Sequence, residues 1–512
     1  MKYFLLLIFI LFMQCSKSAM ENKAVETTEK NGYYTEKYRP QFHFSPEEKW
    51  MNDPNGMVYF EGEYHLFYQY YPDSTVWGPM HWGHAVSTDL VHWEHLPIAL
   101  YPDSLGYIFS GSAVYDSLNT SGLGTKENPP LIAIYTYHDP ILEKQGSDVY
   151  QTQGIAYSTD KGRTWTKYES NPVLKNPGIK DFRDPKVRWH EPSGKWIMAL
   201  AVKDHISFYS SPNLIDWIKE SDFGHDLGAH GGVWECPDLF PLDYNGHEKW
   251  VLLVSINPGG PYGGSATQYF IGDFDGKTFT TDQKTTLWLD YGADNYAGVT
   301  WSNVPNGETL FLGWMSNWAY GMLVPTEKWR SAMTVPRKLS LYQHEENYRI
   351  KSEPVEALNS LRNEAISMPE VKLTNSRHTF EKPIDLAEIN LDVTQATSGT
   401  LDFIFENEAG EYIKLSIVPE KHEIIFDRSK AGKTSFSEEF NSIHRSPLLF
   451  DPASFNIRFY KDESSLEIFI NNGEQVITEL FFSDEPLNKL TIQASGEAIL
   501  KNIKTYPIQS IW

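Results

Sequence analysis

The sequence predicts an all-β protein: a five-bladed β-propeller over residues 38–345, then a C-terminal β-sandwich over 367–512. Three observations predict it. Between about residues 38 and 340 no long helical period occurs. Short apolar or alternating runs recur instead, such as MVYFEGEYHLFYQY, LIAIYTYHD, KWIMALAV, KWVLLVSIN and TLFLGWMSNW, separated by turns such as EPSGK, DYNGHEK and VPNGE. Within this region AVSTDLVHWEHLP, AYSTDKGRTWTKYES and FYSSPNLIDWIKES each place a Ser-containing turn a few residues before a Trp. Such a repeat, with about 300 residues to share, suits five blades of four strands. Beyond residue 366, LDFIFENEAGEYIKLSIVPEKHEIIFDRS and FNIRFYKDESSLEIFINNGEQVITELFF alternate apolar and polar residues between turns, as a sandwich does.

Taken in order, the chain opens on MKYFLLLIFILFMQC, one Lys and then an apolar run from Tyr3 to Met13. That run is too short to span a bilayer and suits the core of a signal peptide. Residues 1–37 therefore read as a signal peptide and a polar, disordered tether, with cleavage expected before Cys15. The arrangement resembles a bacterial lipoprotein signal, although Phe12, Met13 and Gln14 stand where small residues are usual. A secretory signal with a chance cysteine is the alternative. Between the two domains, residues 346–366 read as a linker. Val355, Leu358 and Leu361 recur every three residues there, which suits a short helix.

Composition narrows the function. The 512 residues carry a formal net charge of −23, which excludes nucleic acid and argues against an anionic membrane surface as partner. Only two cysteines occur, so there is no disulfide framework. The 16 Trp and 29 Tyr read either as packing in a large β protein or as flat platforms for sugar rings.

Three acids stand out by their surroundings. WMNDPNG places Asp53 before a proline, with Asn52 and Asn55 able to donate to a carboxylate. IKDFRDPKVRW places Asp184 between Arg183 and a proline, and GGVWECPDLF places Glu235 between Trp234 and Cys236. Each alone is explicable as a turn or an ion pair. Together, each at a strand entry, they look like a glycosidase site, in which one carboxyl stays ionised and another protonated. Apolar flanking by Trp234 and Cys236 is expected to raise the pKa of Glu235, with Cys236 tuning that acid through packing or a weak S–H contact. No metal-ligand cluster stands out, and no cofactor is implied. His225 and His230 read as polar loop residues.

WMNDPNG, FRDP and WECPD, in this order, resemble the signature motifs of glycoside hydrolase family 32, the invertases, inulinases and levanases. FYQYYP, WGPMHWGHAVSTDLVHWEHLPIAL, FSGSAV, DYGADNYAGVTW and GWMSNWAYGMLVPTEKWRSAMTVPRKL agree, so the resemblance spans roughly residues 38–505. It implies the same propeller and sandwich. It also implies roles: Asp53 as nucleophile, Glu235 as acid/base and Asp184 as transition-state stabiliser. Asn52, Gln69, Trp77, Phe109, Ser110, Arg183 and Trp318 match positions that line the fructosyl subsite, with Trp50 and Tyr296 as further candidates. The expected substrate is a fructan (levan or inulin) or sucrose, cleaved from its terminal β-D-fructofuranosyl end. Endo action, and a surface protein that binds fructan without cleaving it, are the alternatives. Membrane contact is expected only through a lipid at Cys15.

Overall fold

The computed structural model describes residues 33–512 apart from 381 and 383; the signal peptide and Cys15 lie outside the described residues. Five antiparallel blades follow in chain order. The first is built from Lys49–Phe60, Glu63–Tyr71, His81–Ser87 and Glu94–Leu100, and the second begins with Tyr107–Tyr115 and Leu131–His138. The third comprises Phe182–His190, Lys195–Val202, His205–Ser211 and Ile218–Phe223. Val233–Tyr244 opens the fourth and Tyr296–Thr300 the fifth. The opening strand of each blade is its innermost one and touches the opening strands on both sides, so five strands ring the axis. The ring is fastened by Trp329–Arg330, which pairs in parallel with Lys49 and Trp50.

The Ser-turn-Trp repeat is the hairpin joining strands three and four of the first three blades. Ser87 and Ser158 donate to Asp89 and Asp160, and Ser211 donates to Asn213. The indoles of Trp165 and Trp217 then bond the carbonyls of Gly162 and Leu214, three residues earlier in each case. In the fourth blade Asp275 caps the turn through Lys277 and Thr278, and Phe279 replaces the Trp.

Part of the expected linker is propeller. Asn347–Pro354 pairs along its length with Arg337–His344 as the outer strand of blade five. Only then does the chain leave the blade, through the 3₁₀-helix Glu356–Leu361, which buries Leu358 and Leu361. The three-residue apolar spacing matches that helix, which has three residues per turn.

The sandwich is wound around Lys489–Pro507, a strand of 19 residues. Its first part pairs with Leu401–Glu406 and its last part with Ala387–Thr394, so one bent strand serves both sides of the core. Phe403, Leu415, Phe459, Ile468, Ile492 and Leu500 fill the space between. The two domains meet across buried charges rather than apolar surface alone. Arg337 of blade five reaches Asp290 (3.0 Å) and also Glu467 and Thr478 of the sandwich. Arg428 joins Asp294 (2.6 Å) and Glu479 (3.0 Å), while His43 lies between Asp462 (2.7 Å) and Glu467 (2.9 Å).

Candidate active site

Each innermost strand is irregular where it reaches the axis. Pairing slips between Met51 and Pro54 in blade one, Ile108 and Gly111 in blade two, and Glu235 and Asp238 in blade four. It slips again opposite Arg183–Lys186 in blade three and between Tyr296 and Val299 in blade five. Such bulges re-aim side chains that plain alternation would send elsewhere. Pro54, Pro185 and Pro237 fit here because proline has no N–H to withdraw from the ladder. Asp184 and Cys236 pay with left-handed backbone, at φ 64° and 44°. At Gly56 (φ 51°) an added Cβ would lie 2.7 Å from the rings of Phe67 and Trp82, which fixes the Gly of NDPNG.

The three acids converge. Asp53 is clamped at both oxygens: Asn52 Nδ2 donates to Oδ1 at 2.9 Å and Ser110 Oγ to Oδ2 at 2.7 Å. Asn52 is held in turn by the Trp50 indole N–H, at 2.7 Å. Asn55 does not touch the carboxylate; it bonds the Asp53 carbonyl and accepts from Gly111 N. Asp184 accepts from the Cys236 amide at 3.1 Å. Glu235 receives Arg183 at one oxygen (2.9 and 3.2 Å) and the Tyr296 hydroxyl at the other. Arg183 is shared with Asp181, at 2.8 Å.

Electrostatics follow from this crowding. Burial pushes the Asp184 carboxyl up to about 7, against the Arg183 guanidinium and with help from the charges of Glu235 and Asp53. Burial also raises Asp53, although the Ser110 hydrogen bond opposes the shift.

The surroundings of Glu235 differ from the expectation. Trp234 turns into the core of blades three and four, its indole bonded to Ala229 O, because neighbours on a strand face opposite ways. Cys236, displaced by the bulge, aims its sulfur at Asp53 (3.6 Å) and Asp184 (3.7 Å) rather than at Glu235. The polar Arg183 and Tyr296 take the places assigned to apolar neighbours. Burial and the three carboxylates push the Cys236 thiol well up, so it stays protonated and is no nucleophile.

These groups floor a cavity of about 330 Å³ that gathers Asn52, Asp53, Gln69, Trp77, Phe109, Ser110, Arg183, Asp184, Glu235 and Trp318. Gln69 is fixed by donating to Ile108 O at 3.0 Å. Phe109 lies flat on His138, centroids 4.2 Å apart, and meets the half-exposed Trp77 edge-on. Trp318 stacks on Trp50, which is fully buried behind the wall. Sequence reasoning missed His138, Glu143, Tyr150, Gln151, Asp181 and Met322, which also line the cavity. Asp181 precedes the strand Phe182–His190 in a left-handed bend at φ 55°, so strand alternation from Arg183 does not point to it. His225 and His230 lie outside it. A larger hollow of about 540 Å³ on the outer rim of blades four and five contains none of the three acids.

Chemically, the floor offers one carboxylate locked by two donors, one bonded to an arginine and a phenol, and a third that accepts from a backbone amide. Comparison with known proteins places the chain as a whole. The chain is 45% identical over 525 residues to a levanase of Bacillus subtilis, covering 100% of this chain and 76% of that one. It is 38% identical over 522 residues to an extracellular exo-inulinase of Aspergillus niger, covering 94% and 96%. The crystal structure of an exo-inulinase from Aspergillus awamori superposes with a TM-score of 0.86 at 36% identity, covering 94% of this chain and 100% of that one. Residues 43–354 match the N-terminal domain of the glycosyl hydrolases family 32 and residues 357–507 its C-terminal domain, so the propeller, the sandwich and the acids at the axis belong to a member of that family.

Proposed function

We propose that this chain is a β-fructosidase that removes terminal β-D-fructofuranosyl residues from levan, inulin or sucrose and releases fructose. The observation that carries the reading is the double clamp on Asp53, which fixes one carboxylate at the pocket floor and leaves it unable to swing. In this reading Asp53 attacks the anomeric carbon while Glu235 gives its proton to the departing oxygen. The resulting fructosyl ester is then hydrolysed by a water that Glu235 deprotonates, with net retention. Asp184 grips ring hydroxyls and offsets the positive charge that develops on the ring. The relatives' names, levanase, exo-inulinase and invertase, support fructan and sucrose as substrates. The small cavity supports attack from the chain end. Product analysis on levan, inulin and sucrose tests this: free fructose should dominate from the first minutes, and early release of oligosaccharides would show endo action.

We further infer that the protein is exported and held to the envelope by lipid at Cys15. The short apolar run ending in that cysteine supports it, as does the extracellular designation of relatives. No helix among the described residues is long and apolar enough to cross a membrane.

A further inference from the structure

On the third blade, outside the pocket lining, three side chains come together that the hydrolytic chemistry does not use. His205 opens the strand His205–Ser211, Asp222 lies on the neighbouring strand, and His225 follows the turn at Gly224. Their potential ligand atoms all lie within 4.8 Å of one another, and the two imidazoles face each other with centroids 4.2 Å apart. Neither ring nitrogen of His205 is close enough to a carboxylate for a hydrogen bond: Nε2 is 3.8 Å from Asp222 and Nδ1 is 4.0 Å from Asp204.

We propose that His205, Asp222 and His225 form a surface site for a divalent transition ion of the zinc or nickel class. Two imidazoles and a carboxylate are the donor set such ions prefer, and the hard ions calcium and magnesium would ask for oxygen alone. Around tetrahedral zinc, ligand atoms stand about 3.3 Å apart. The exposed His225 closes the remaining distance by side-chain rotation. Lys219, which is 2.8 Å from the second oxygen of Asp222, is half exposed and free to swing away as the ion enters. The ion would tie the segment after Gly224 to the hairpin at Lys203, whose carbonyl accepts from Trp234 N, next to Glu235. It is thus a clasp on the approach to the catalytic strand.

The test is calorimetric titration of the intact protein with zinc chloride, paired with thermal unfolding. One equivalent should bind and raise the unfolding midpoint by a few degrees. His225→Gln, at an exposed position that the fold does not need, should lose both the binding and the rise. His205→Gln should lose them as well, and His230→Gln should keep both. Absence of a bound equivalent at micromolar zinc would overturn the proposal. So would a full equivalent retained in His225→Gln, or its loss only in His230→Gln.

Discussion

The hydroxyl of Ser110, in the second blade, donates a 2.7 Å hydrogen bond to the carboxylate of Asp53, in the first. The bond orients the acid and favours its ionised form. Ser110→Ala should lower kcat/KM by roughly ten- to a hundredfold, since a hydrogen bond to a charged group contributes about 1.5–3 kcal/mol. The sign of the pH effect follows: without that donor the Asp53 pKa rises further, so the acidic limb of kcat/KM moves to higher pH. A limb that stayed in place would contradict the coupling.

The three acids should separate by substrate. Asp53→Asn should lose turnover by more than about 10⁴-fold on every substrate, because no fructosyl ester forms. Glu235→Gln should be crippled on fructans, by about 10²–10⁴-fold, yet keep its first step on a fructoside with an acidic leaving group, and then stall. Asp184→Asn should lose rate on both while the product, read by NMR in the first minutes, stays retained. Near-normal activity in Asp53→Asn would overturn the assignment.

Cys236 should be silent to alkylation in the native protein. Its thiol is 4% exposed and its pKa is pushed well up by burial and by Asp184 and Asp53. Iodoacetamide at pH 8, followed by peptide mass analysis, should leave Cys236 unmodified until denaturant is added. Rapid native labelling would mean that the thiol is exposed or ionised.

The buried charges between the domains predict a pH-dependent stability. Burial would depress His43, but its hydrogen bonds to Asp462 and Glu467 win and push it up to about 9. Its folded pKa exceeds its unfolded value of 6.5, so its stabilisation is complete below pH 6.5 and is lost as pH rises through 9. Midpoints measured from pH 6 to 10 should fall over that window, and His43→Gln should flatten the fall. Arg337→Met, which leaves Asp290 buried without its cation and Glu467 with His43 alone, should destabilise by about 3–5 kcal/mol.

Anchoring is tested by Cys15→Ala. The variant should move from the membrane to the soluble fraction, since the lipid is the proposed attachment. Unchanged fractionation would exclude the anchor.

Much of this was legible in the sequence where local chemistry decides structure. The Ser-turn-Trp hairpins are made by bonds within six residues, so three blades announced themselves; the fourth, with Phe279, did not. Asn347–Pro354 reads as linker because Ile350 is its one aliphatic residue among Arg349, Lys351 and Glu353, too weak an apolar pattern to mark an outer edge strand. The acids were marked by their prolines. The aim of Cys236 was not, because it depends on a bulge and a positive φ that no residue pattern states. Asp462 looked like a solvated turn in YKDESS, yet it is fully buried against His43. A contact that distant leaves no local trace.

That last pairing has a consequence for biosynthesis. His43 and Asp462 stand 419 residues apart. At about 5–20 residues per second of chain growth, the histidine waits tens of seconds for its partner. Arg337, too, meets Glu467 only after the sandwich is made. The segment before the first blade and the outer part of the fifth are therefore both held by the sandwich, and a chain stopped after the propeller is left with unmatched ions on the face where the sandwich belongs.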